Sequence, residues 1–399
     1  MIYENLSVNL AGEYDVAVAG GGIAGISAAL AAARCGKRVV LFEKGFVLGG
    51  LATAGIVTIY LPLCDGYGNQ VSFGIAEELL RLSIKYGAED RYPENWLDGV
   101  GTRTENDKRF QVQYNPHLFA ILAEQLLTDA GVDIAYGSYV VNTAMKGDKI
   151  DCLITESKSG RRAYKVGSVV DATGDCDVAH LSGAPTETFK QGNVLAAWYY
   201  FVADGKYDLK MLGASDVPDE EKTVDNAPKM LSERRFGGLD ADELSDMVRL
   251  SHHVTLDHYL KNKEKHKEFW PVNIASIPQI RMTRRIVGEY ELSLSEEHTE
   301  FEDSIGMISN WKKRGPIYEV PFRTLYSSRV KNLICAGRCT SVDEPMWDVM
   351  RVIPPCAVTG EAAGVAAAMS DDFTTLDVSE LQARLRECGV IIHKKDIIK

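Results

Sequence analysis

The segment of residues 15–25 limits what this chain can fold into more than any other part of the sequence. Its apolar run, residues 16–19, predicts a strand buried on both faces. A glycine turn with the spacing G-x-G-x-x-G follows, formed by Gly20, Gly22 and Gly25. Residues 23–34 are rich in Ala and lack Pro, which predicts a helix. Strand, turn and helix in this order predict a dinucleotide-binding unit.

Each part of this unit has a physical role. The first glycine permits a tight turn, the second lets a pyrophosphate approach the backbone, and the third lets the helix pack on the strand. Free N–H groups at the start of the helix, at Ile23 and Ala24, favour an anion. Residues 38–42 predict the next strand, and Glu43 and Lys44 follow it, where an acid binds ribose hydroxyls. We interpret this context as a nucleotide site, with an ordinary strand–helix turn as the alternative.

Composition narrows the class of protein. The chain has 399 residues, enough for two domains or for one domain with a large insertion. Its net charge of −12 argues against a general nucleic-acid binder. The eight cysteines form no C-x-x-C pair and no signal peptide is visible, so we expect reduced thiols and a cytoplasmic location. The most apolar run, residues 16–33, contains the glycine turn, and we predict no membrane span.

The pattern along the chain predicts an α/β fold with a β-meander. We expect helices at residues 75–86, 117–130, 241–267 and 379–388, and strands at residues 132–135, 139–145, 150–156, 164–170, 198–202 and 333–337. The strands between 132 and 156 are predicted to form the meander, and residues 1–14, 87–110 and 204–240 to be irregular. Pro354 and Pro355 introduce a helix over 356–369, in which Gly360 and Gly364 share one face and permit close packing.

Three separated segments together resemble a known family. They are the glycine turn with Glu43 and the pair Gly49-Gly50, the sequence Asp-Ala-Thr-Gly-Asp at 171–175, and Ala-Gly-Arg at 336–338 with the helix after it. These segments resemble the FAD-dependent oxidoreductases, which share the FAD-binding fold of glutathione reductase and the fumarate reductase flavoproteins. The resemblance implies FAD as cofactor and a Rossmann-like FAD-binding domain over 1–60, 110–190 and 326–399. An inserted α+β substrate region would cover 61–109 and 191–325.

The resemblance also implies a cofactor role for residues in each segment. Glu43 would bind the adenosine ribose, and Gly337 and Arg338 would approach the ribitol and the flavin. Many relatives carry Asp at the position of Arg338, and because Arg has no acceptor, that ribitol contact is not carried over. The implied FAD contacts are Gly20, Gly22, Ile23, Ala24, Gly25, Glu43, Lys44, Gly49, Gly50, Leu51, Val140, Thr173, Gly174, Gly337, Arg338, Cys356 and Ala357.

Residues 342–351 are predicted to form a functional loop beside the helix that begins near Cys356. Asp348 and Arg351 in this loop are candidate catalytic residues. The N-terminus of the following helix could stabilise negative charge on the flavin. A salt bridge from Arg351 to Asp348 or Glu344 that only shapes the loop is the alternative.

Arginines and cysteines supply the remaining candidates. Arg281 is a candidate catalytic residue that could bind a carboxylate together with Arg284 and Arg285, and salt bridges to the acidic surface are the alternative. We interpret Cys335 and Cys339 as buried thiols near the flavin rather than as a redox pair. Because the cysteines stand singly in the sequence, we predict no metal site.

Together these observations predict a flavoenzyme that oxidises or reduces a small organic molecule by hydride or electron transfer. Its electron donor or acceptor is unidentified, and no nucleic acid or membrane partner is expected. A redox-neutral flavoenzyme, such as an isomerase or a lyase, and a non-catalytic flavin-binding protein are the alternatives. The sequence does not indicate the substrate, the direction of the reaction or the oligomeric state.

Overall fold

The computed structural model describes residues 6–86, 111–213 and 231–397, so the predicted irregular segment 87–110 and part of 204–240 lie outside the described residues. The α-helices are α1 Ile23–Arg34, α2 Ile75–Ile84, α3 Pro116–Asp129, α4 Asp177–Leu181, α5 Ala241–Asn262, α6 Glu344–Met350, α7 Ile353–Met369 and α8 Val378–Glu387. The strands are β1 Asn9–Ala19, β2 Val39–Glu43, β3 Ile59–Tyr60, β4 Val112–Gln113, β5 Asp133–Tyr136, β6 Tyr139–Lys146, β7 Lys149–Ser157, β8 Gly160–Asp171, β9 Thr186–Thr188, β10 Tyr199–Ala203, β11 Lys206–Lys210, β12 Phe269–Ile274, β13 Arg284–Ile286, β14 Ser304–Ser309, β15 Ile317–Pro321 and β16 Leu333–Cys335.

A seven-stranded sheet positions the glycine turn. Its parallel part runs in the order β5, β2, β1, β8, and β16 pairs in parallel with the last residues of β8. Strands β7 and β6 continue antiparallel from the first half of β8 and form the meander. The parallel strands β1, β8 and β16 therefore end at the same edge, at Ala19, Asp171 and Cys335. All three segments of the family resemblance meet at this edge, which is where open α/β sheets bind ligands.

Most predicted elements occur at their predicted places, and α1 matches its predicted bounds. Two strand predictions were wrong. Residues 1–14 were expected to be a short polar lead-in, but β1 begins at Asn9 and pairs with β8, and its first seven residues are exposed or half-buried and carry no apolar run. The strand expected at 132–135 is β5, which pairs in parallel with β2 and lies outside the meander. A local pattern predicts a strand but not its distant partner.

Two predicted loops contain regular structure. The segment 204–240 includes β11, which forms a hairpin with β10 around Asp204 and Gly205. These two residues have φ of +49° and +78°, the conformation that Asp-Gly favours in a two-residue hairpin turn. The predicted functional loop 342–351 contains α6, whose first turn holds a proline. The side chain of Asp343 accepts the N–H of Met346 and caps this helix.

Helices α1 and α7 pack closely through two glycines, as predicted from their shared face. A Cβ atom at Gly360 would overlap the carbonyl oxygen of Ala24, and one at Gly364 would overlap that of Ala28. Helix α7 is buried along almost its whole length. The contact joins the C-terminal helix of the core directly to the helix of the glycine turn.

The length and composition of a helix indicate whether it could cross a membrane. None of the helices in the described ranges is by itself long and apolar enough to cross a bilayer. Helices α6 and α7 meet these criteria only as a pair, and they meet at a bend of 88°.

The carboxyl group of Glu361 is buried between α7 and α2. Glu361 is 2% exposed, and its Oε2 accepts the N–H of Ile75 at 2.9 Å. Burial raises its pKa from 4.5 to about 8. Between pH 4.5 and about 8 the folded protein therefore holds a proton on Glu361 that the unfolded chain releases. Stability from this proton is fully present below pH 4.5 and falls as the pH rises toward 8, by at most about 1.4 kcal/mol per pH unit.

We expect Glu361→Gln to be more stable than the wild type at pH 8 and to lose that advantage at pH 5. The glutamine keeps an acceptor for Ile75 but carries no charge to bury. Urea unfolding at both pH values measures the difference. Glu297→Gln, at an exposed position, is the control and should follow the wild type. Equal pH dependence of Glu361→Gln and the wild type would contradict the assignment.

Candidate functional site

The glycine turn has two glycines required by packing and one that faces open space. A Cβ atom at Gly20 would lie 2.5 Å from the carbonyl oxygen of Ala172, and one at Gly25 would overlap the carbonyl oxygen of Gly20. Gly22 has an ordinary φ of −72°, and a Cβ atom there meets nothing within 4 Å. No side chain caps the N-terminus of α1. The space beside Gly22 is therefore lined by backbone N–H groups that suit an anion.

A second glycine pair lies against this turn. The N–H of Gly49 donates to the carbonyl oxygen of Gly21 at 2.7 Å. Gly49 and Gly50 have φ of +102° and +55°, in the region that favours glycine. A Cβ atom at Gly50 would lie 3.3 Å from Cα of Gly22. The two glycine segments are thus in direct backbone contact beside the open space at Gly22.

The carboxylate of Glu43 is fixed at the end of β2. Its Oε2 accepts the N–H of Gly21 at 2.8 Å, and its Oε1 accepts the N–H of Gly45 at 2.6 Å. Each oxygen has a further lone pair for a ribose hydroxyl. The neighbouring Lys44 places its Nζ 5.7 Å from the ring centre of Tyr139, which precedes Val140 on β6. The predicted adenosine-side residues are therefore close together.

Gly337 lies between the first turns of two helices. A Cβ atom there would lie 2.9 Å from Cβ of Ala24 on α1 and 3.4 Å from Sγ of Cys356 on α7. Helix α7, like α1, has no side-chain cap at its N-terminus. The positive dipole ends of two helices therefore converge on one place, where α1 also offers free N–H groups, whereas the first turn of α7 holds Pro354 and Pro355, which have no N–H. A dinucleotide with two phosphates and an electron-accepting ring fits this arrangement.

Arg338 links three segments of the chain through its guanidinium group. Its Nε donates to the carbonyl oxygen of Gly174 at 2.5 Å, its Nη2 to Asp175 at 2.8 Å and its Nη1 to the carbonyl oxygen of Ile280 at 3.3 Å. Burial raises the pKa of Asp175, but the charges of Arg338 and Lys44 and the hydrogen bonds from Arg338 and Thr283 together outweigh it, and the pKa lies below its usual range. Thr283 donates to the same carboxylate at 2.8 Å. Asp175 stands in the motif at 171–175, but neither its pairing with Arg338 nor its contact with Thr283 is visible in the sequence.

Asp348 and Arg351 are brought together in a buried ion pair. Nε of Arg351 donates to Oδ1 of Asp348 at 2.7 Å, and Lys312 pairs with the other oxygen. Asp348 is fully buried, and the side chain of Arg351 is 8% exposed. Two cations share one carboxylate, which leaves one net positive charge just before α7. Lys312 was missed because its run Trp-Lys-Lys-Arg has the pattern of a solvated turn.

Arg281 lies in a different place from the cluster of Lys312, Asp348 and Arg351. Its Nη1 donates to the carbonyl oxygen of Gln279 at 3.0 Å, and its guanidinium lies 5.1 Å from the ring centre of Trp198. Arg281 is 2% exposed. The side chain of Gln279 donates to the carbonyl oxygen of Gly55, just beyond the second glycine pair. Arg281 is therefore tied to the chain segment that follows Gly49 and Gly50.

Arg284 and Arg285, which follow Arg281 in the sequence, form salt bridges, as the alternative to carboxylate binding expected. Arg284 pairs with Asp177 at 2.8 Å. Arg285 pairs with Glu187 at 2.8 Å and with Glu291.

A cavity of about 280 Å³ opens beside Arg285. It is lined by Glu187, Thr188, Lys190, Arg285, Glu291, Asp343, Glu344 and Trp347. Nε1 of Trp347 donates to the carbonyl oxygen of Arg338 at 2.7 Å. The indole therefore lies between this cavity and the Gly337–Arg338 segment.

Comparison with known proteins agrees with this geometry. A family model described as FAD dependent oxidoreductase matches residues 15–197 and 205–385. A thiamine thiazole synthase of Desulfosudis oleivorans is 34% identical over 102 residues, which is 26% of this chain and 37% of that protein. A thioredoxin reductase of Ureaplasma parvum is 37% identical over 79 residues, 19% of this chain and 26% of that protein. The matched region thus spans little more than a third of these curated relatives at most.

The solved structures that are similar to this chain include a geranylgeranyl bacteriochlorophyll reductase-like protein from Thermoplasma acidophilum. It is 14% identical, with a TM-score of 0.43, over 94% of this chain and 82% of that protein. The family match covers nearly the whole chain, and the glycine turn, Glu43 and the converging helix ends fit the cofactor of that family. The chain therefore belongs to the FAD-dependent oxidoreductases, and FAD is its cofactor.

Proposed function

We propose that this protein oxidises or reduces a small anionic organic molecule, with FAD held between the two glycine segments. When bound, FAD supplies the transfer of a hydride or of electrons. The observation that carries the proposal is the net positive charge of Lys312, Asp348 and Arg351 beside the uncapped N-terminus of α7. A buried cation next to a positive helix end favours an anionic group there.

The chain's own residues divide into holding and positioning roles in this proposal. Gly20 to Gly25, Gly49 to Leu51 and Glu43 bind the adenosine and phosphate portion. The turn at Thr173 and Gly174 and the segment at Gly337 line the remainder of the cofactor. These assignments extend the predicted domain division, with the substrate contacts drawn from the inserted region.

Arg351 is proposed to face the reacting groups, and Asp348 to hold its guanidinium in place. Two of the Arg351 nitrogens are engaged by Asp348, so the planar group has a fixed orientation. Arg281 is proposed as a second contact to an acidic group of the substrate. An electron donor or acceptor from outside the chain completes the reaction.

The purified protein is expected to be yellow and to release one FAD per chain on denaturation, and not FMN or NAD. The reason is that the chain belongs to the FAD-dependent oxidoreductases, and FMN lacks the adenosine ribose that Glu43 is proposed to bind. Absorbance and chromatography of the released nucleotide measure this. A colourless protein that cannot be reconstituted with FAD would overturn the proposal.

The reaction class is tested by anaerobic titration of the yellow protein with a panel of small carboxylic acids and their neutral amides. We expect an acid to bleach the flavin and its amide to act far more weakly. Consumption of an external electron acceptor in proportion to product supports a net redox reaction. Product formation without any acceptor would instead support an isomerase or a lyase.

A further inference from the structure

Four side chains with metal-binding atoms meet beneath the turn that follows β8. Asp171 ends β8, Cys176 lies just before α4, and Cys335 ends β16. They are adjacent because β16 pairs in parallel with β8, with Cys335 opposite Asp171. Cys339, in the turn after Gly337, lies beside these three residues. All four residues are buried.

The distances between the carboxylate of Asp171 and the sulfur atoms of Cys176 and Cys335 are those of a ligand set. Sγ of Cys176 lies 3.7 Å from Sγ of Cys335. One carboxylate oxygen of Asp171 and these two sulfur atoms all lie within 4.8 Å of one another. In a tetrahedral zinc centre with Zn–S of about 2.3 Å, two sulfur ligands are about 3.8 Å apart. The sulfur pair already has this separation.

The surroundings orient the group as they would around a bound ion. Oδ1 of Asp171 accepts the N–H and the hydroxyl of Thr173, and Oδ2 accepts the N–H of Ala179 at 2.9 Å. Sγ of Cys339 accepts the N–H of Cys176 at 3.2 Å. Hydrogen bonds to the ligand atoms are the usual outer layer of a metal site.

Among the described residues, the buried carboxyl group of Asp171 has no cation beside it. Asp171 forms no ion pair within the described part of the chain, although it is fully buried. A buried carboxyl group without a cation is costly to ionise, whereas a bound divalent ion stabilises both the carboxylate and the thiolates.

The backbone at Cys176 supports the same interpretation. Its φ is +54°, a conformation that is uncommon for any side chain larger than that of glycine. This strained turn places the thiol against Cys335. A glycine would adopt the turn more easily but would remove the sulfur atom.

We propose that Asp171, Cys176 and Cys335 hold a thiophilic divalent cation, represented by Zn²⁺, and that the adjacent Cys339 turns its thiol toward the ion as the fourth ligand of a structural site. Binding would replace the three thiol protons, which pass to solvent, with three metal–sulfur bonds and no change of oxidation state. The site would fix the ends of β8 and β16, which carry Gly174 and Arg338 to the cofactor. This role does not depend on the substrate or on the direction of the flavin reaction.

The test uses the complete FAD-containing protein. We expect it to retain about one zinc per chain, measured by mass spectrometry of the metal after dialysis against a weak chelator. Refolding with Cd²⁺ in place of zinc should give the ultraviolet absorption of cadmium–thiolate bonds. Cys176→Gly suits the positive φ and should fold, yet it should retain at least tenfold less metal. Cys335→Val keeps an apolar residue in β16 and should behave in the same way.

Cys388→Ser, at an exposed thiol, is the matched control and should bind as much metal as the wild type. Wild-type protein without zinc and without a cadmium signal after refolding would overturn the proposal. So would equal metal retention by Cys176→Gly. A Cys176–Cys335 disulfide in protein purified without reductant, together with absence of metal, would also contradict it and assign the sulfur pair to redox chemistry.

Discussion

Gly22→Val is expected to abolish FAD binding and to leave the protein folded. The position has an ordinary φ, and a Cβ atom meets no protein atom within 4 Å, so the chain itself accommodates a side chain. The branched side chain would instead occupy the space at the start of α1 where the pyrophosphate approaches the backbone. We expect FAD affinity to fall at least about 100-fold, equivalent to ~2.7 kcal/mol.

Isothermal titration of the FAD-free protein and circular dichroism measure binding and folding separately. Gly237→Val is the matched control, because a Cβ atom there makes only ordinary contact with Glu243, far along the chain from the cofactor residues. Gly25→Val is the opposite control, because overlap with Gly20 should damage the fold itself. Unchanged FAD affinity in Gly22→Val would show that the glycine turn serves only chain packing.

Arg351→Met is expected to fold and to bind FAD but to lose roughly 100-fold or more in the rate of flavin reduction by substrate, the scale of losing one preorganised donor. Asp348 keeps Lys312 as a partner in this variant, so the buried carboxylate is not left alone. Loss of one positive charge near the flavin should also make its midpoint potential more negative by about 30 mV or more. This second measurement needs no substrate.

Asp348→Asn tests the positioning role of Asp348 and leaves the positive charge of Arg351 in place. It leaves Lys312 and Arg351 buried without their carboxylate, and we expect a loss of about 3–5 kcal/mol in the free energy of unfolding. Arg384→Met, in an exposed ion pair with Glu387, is the control and should change neither the free energy of unfolding nor the rate of flavin reduction. A stable Arg351→Met with wild-type flavin reduction and potential would assign Arg351 to shaping α6 alone.

Local patterns in the sequence predicted the elements that depend on local physics. The bounds of α1 follow from the glycine turn at one end and Gly36 at the other. The prolines at 354 and 355 mark the first turn of α7 because proline lacks the N–H that this turn leaves unpaired. Gly360 and Gly364 predicted a close helix contact, although their spacing could not identify α1 as the partner.

Contacts between distant residues could not be predicted in this way. Nothing near Arg338 indicates that Asp175 will neutralise it, because the two meet only when β16 pairs with β8. The same pairing gathers cysteines that stand far apart in the sequence, so their wide spacing did not exclude a cluster. The position of β5 failed for this reason as well, since its partner β2 lies about ninety residues earlier.

The glycine contacts between α1 and α7 have a consequence for protein synthesis. The surface of α1 at Ala24 that receives Gly360 stays without this contact until 336 further residues, positions 25 to 360, have been made. At about 5–20 residues per second this takes roughly 20–70 s. During that interval the face of α1 that packs on α7 lacks this partner. We expect a chain truncated before residue 353 to leave this apolar face exposed and to aggregate.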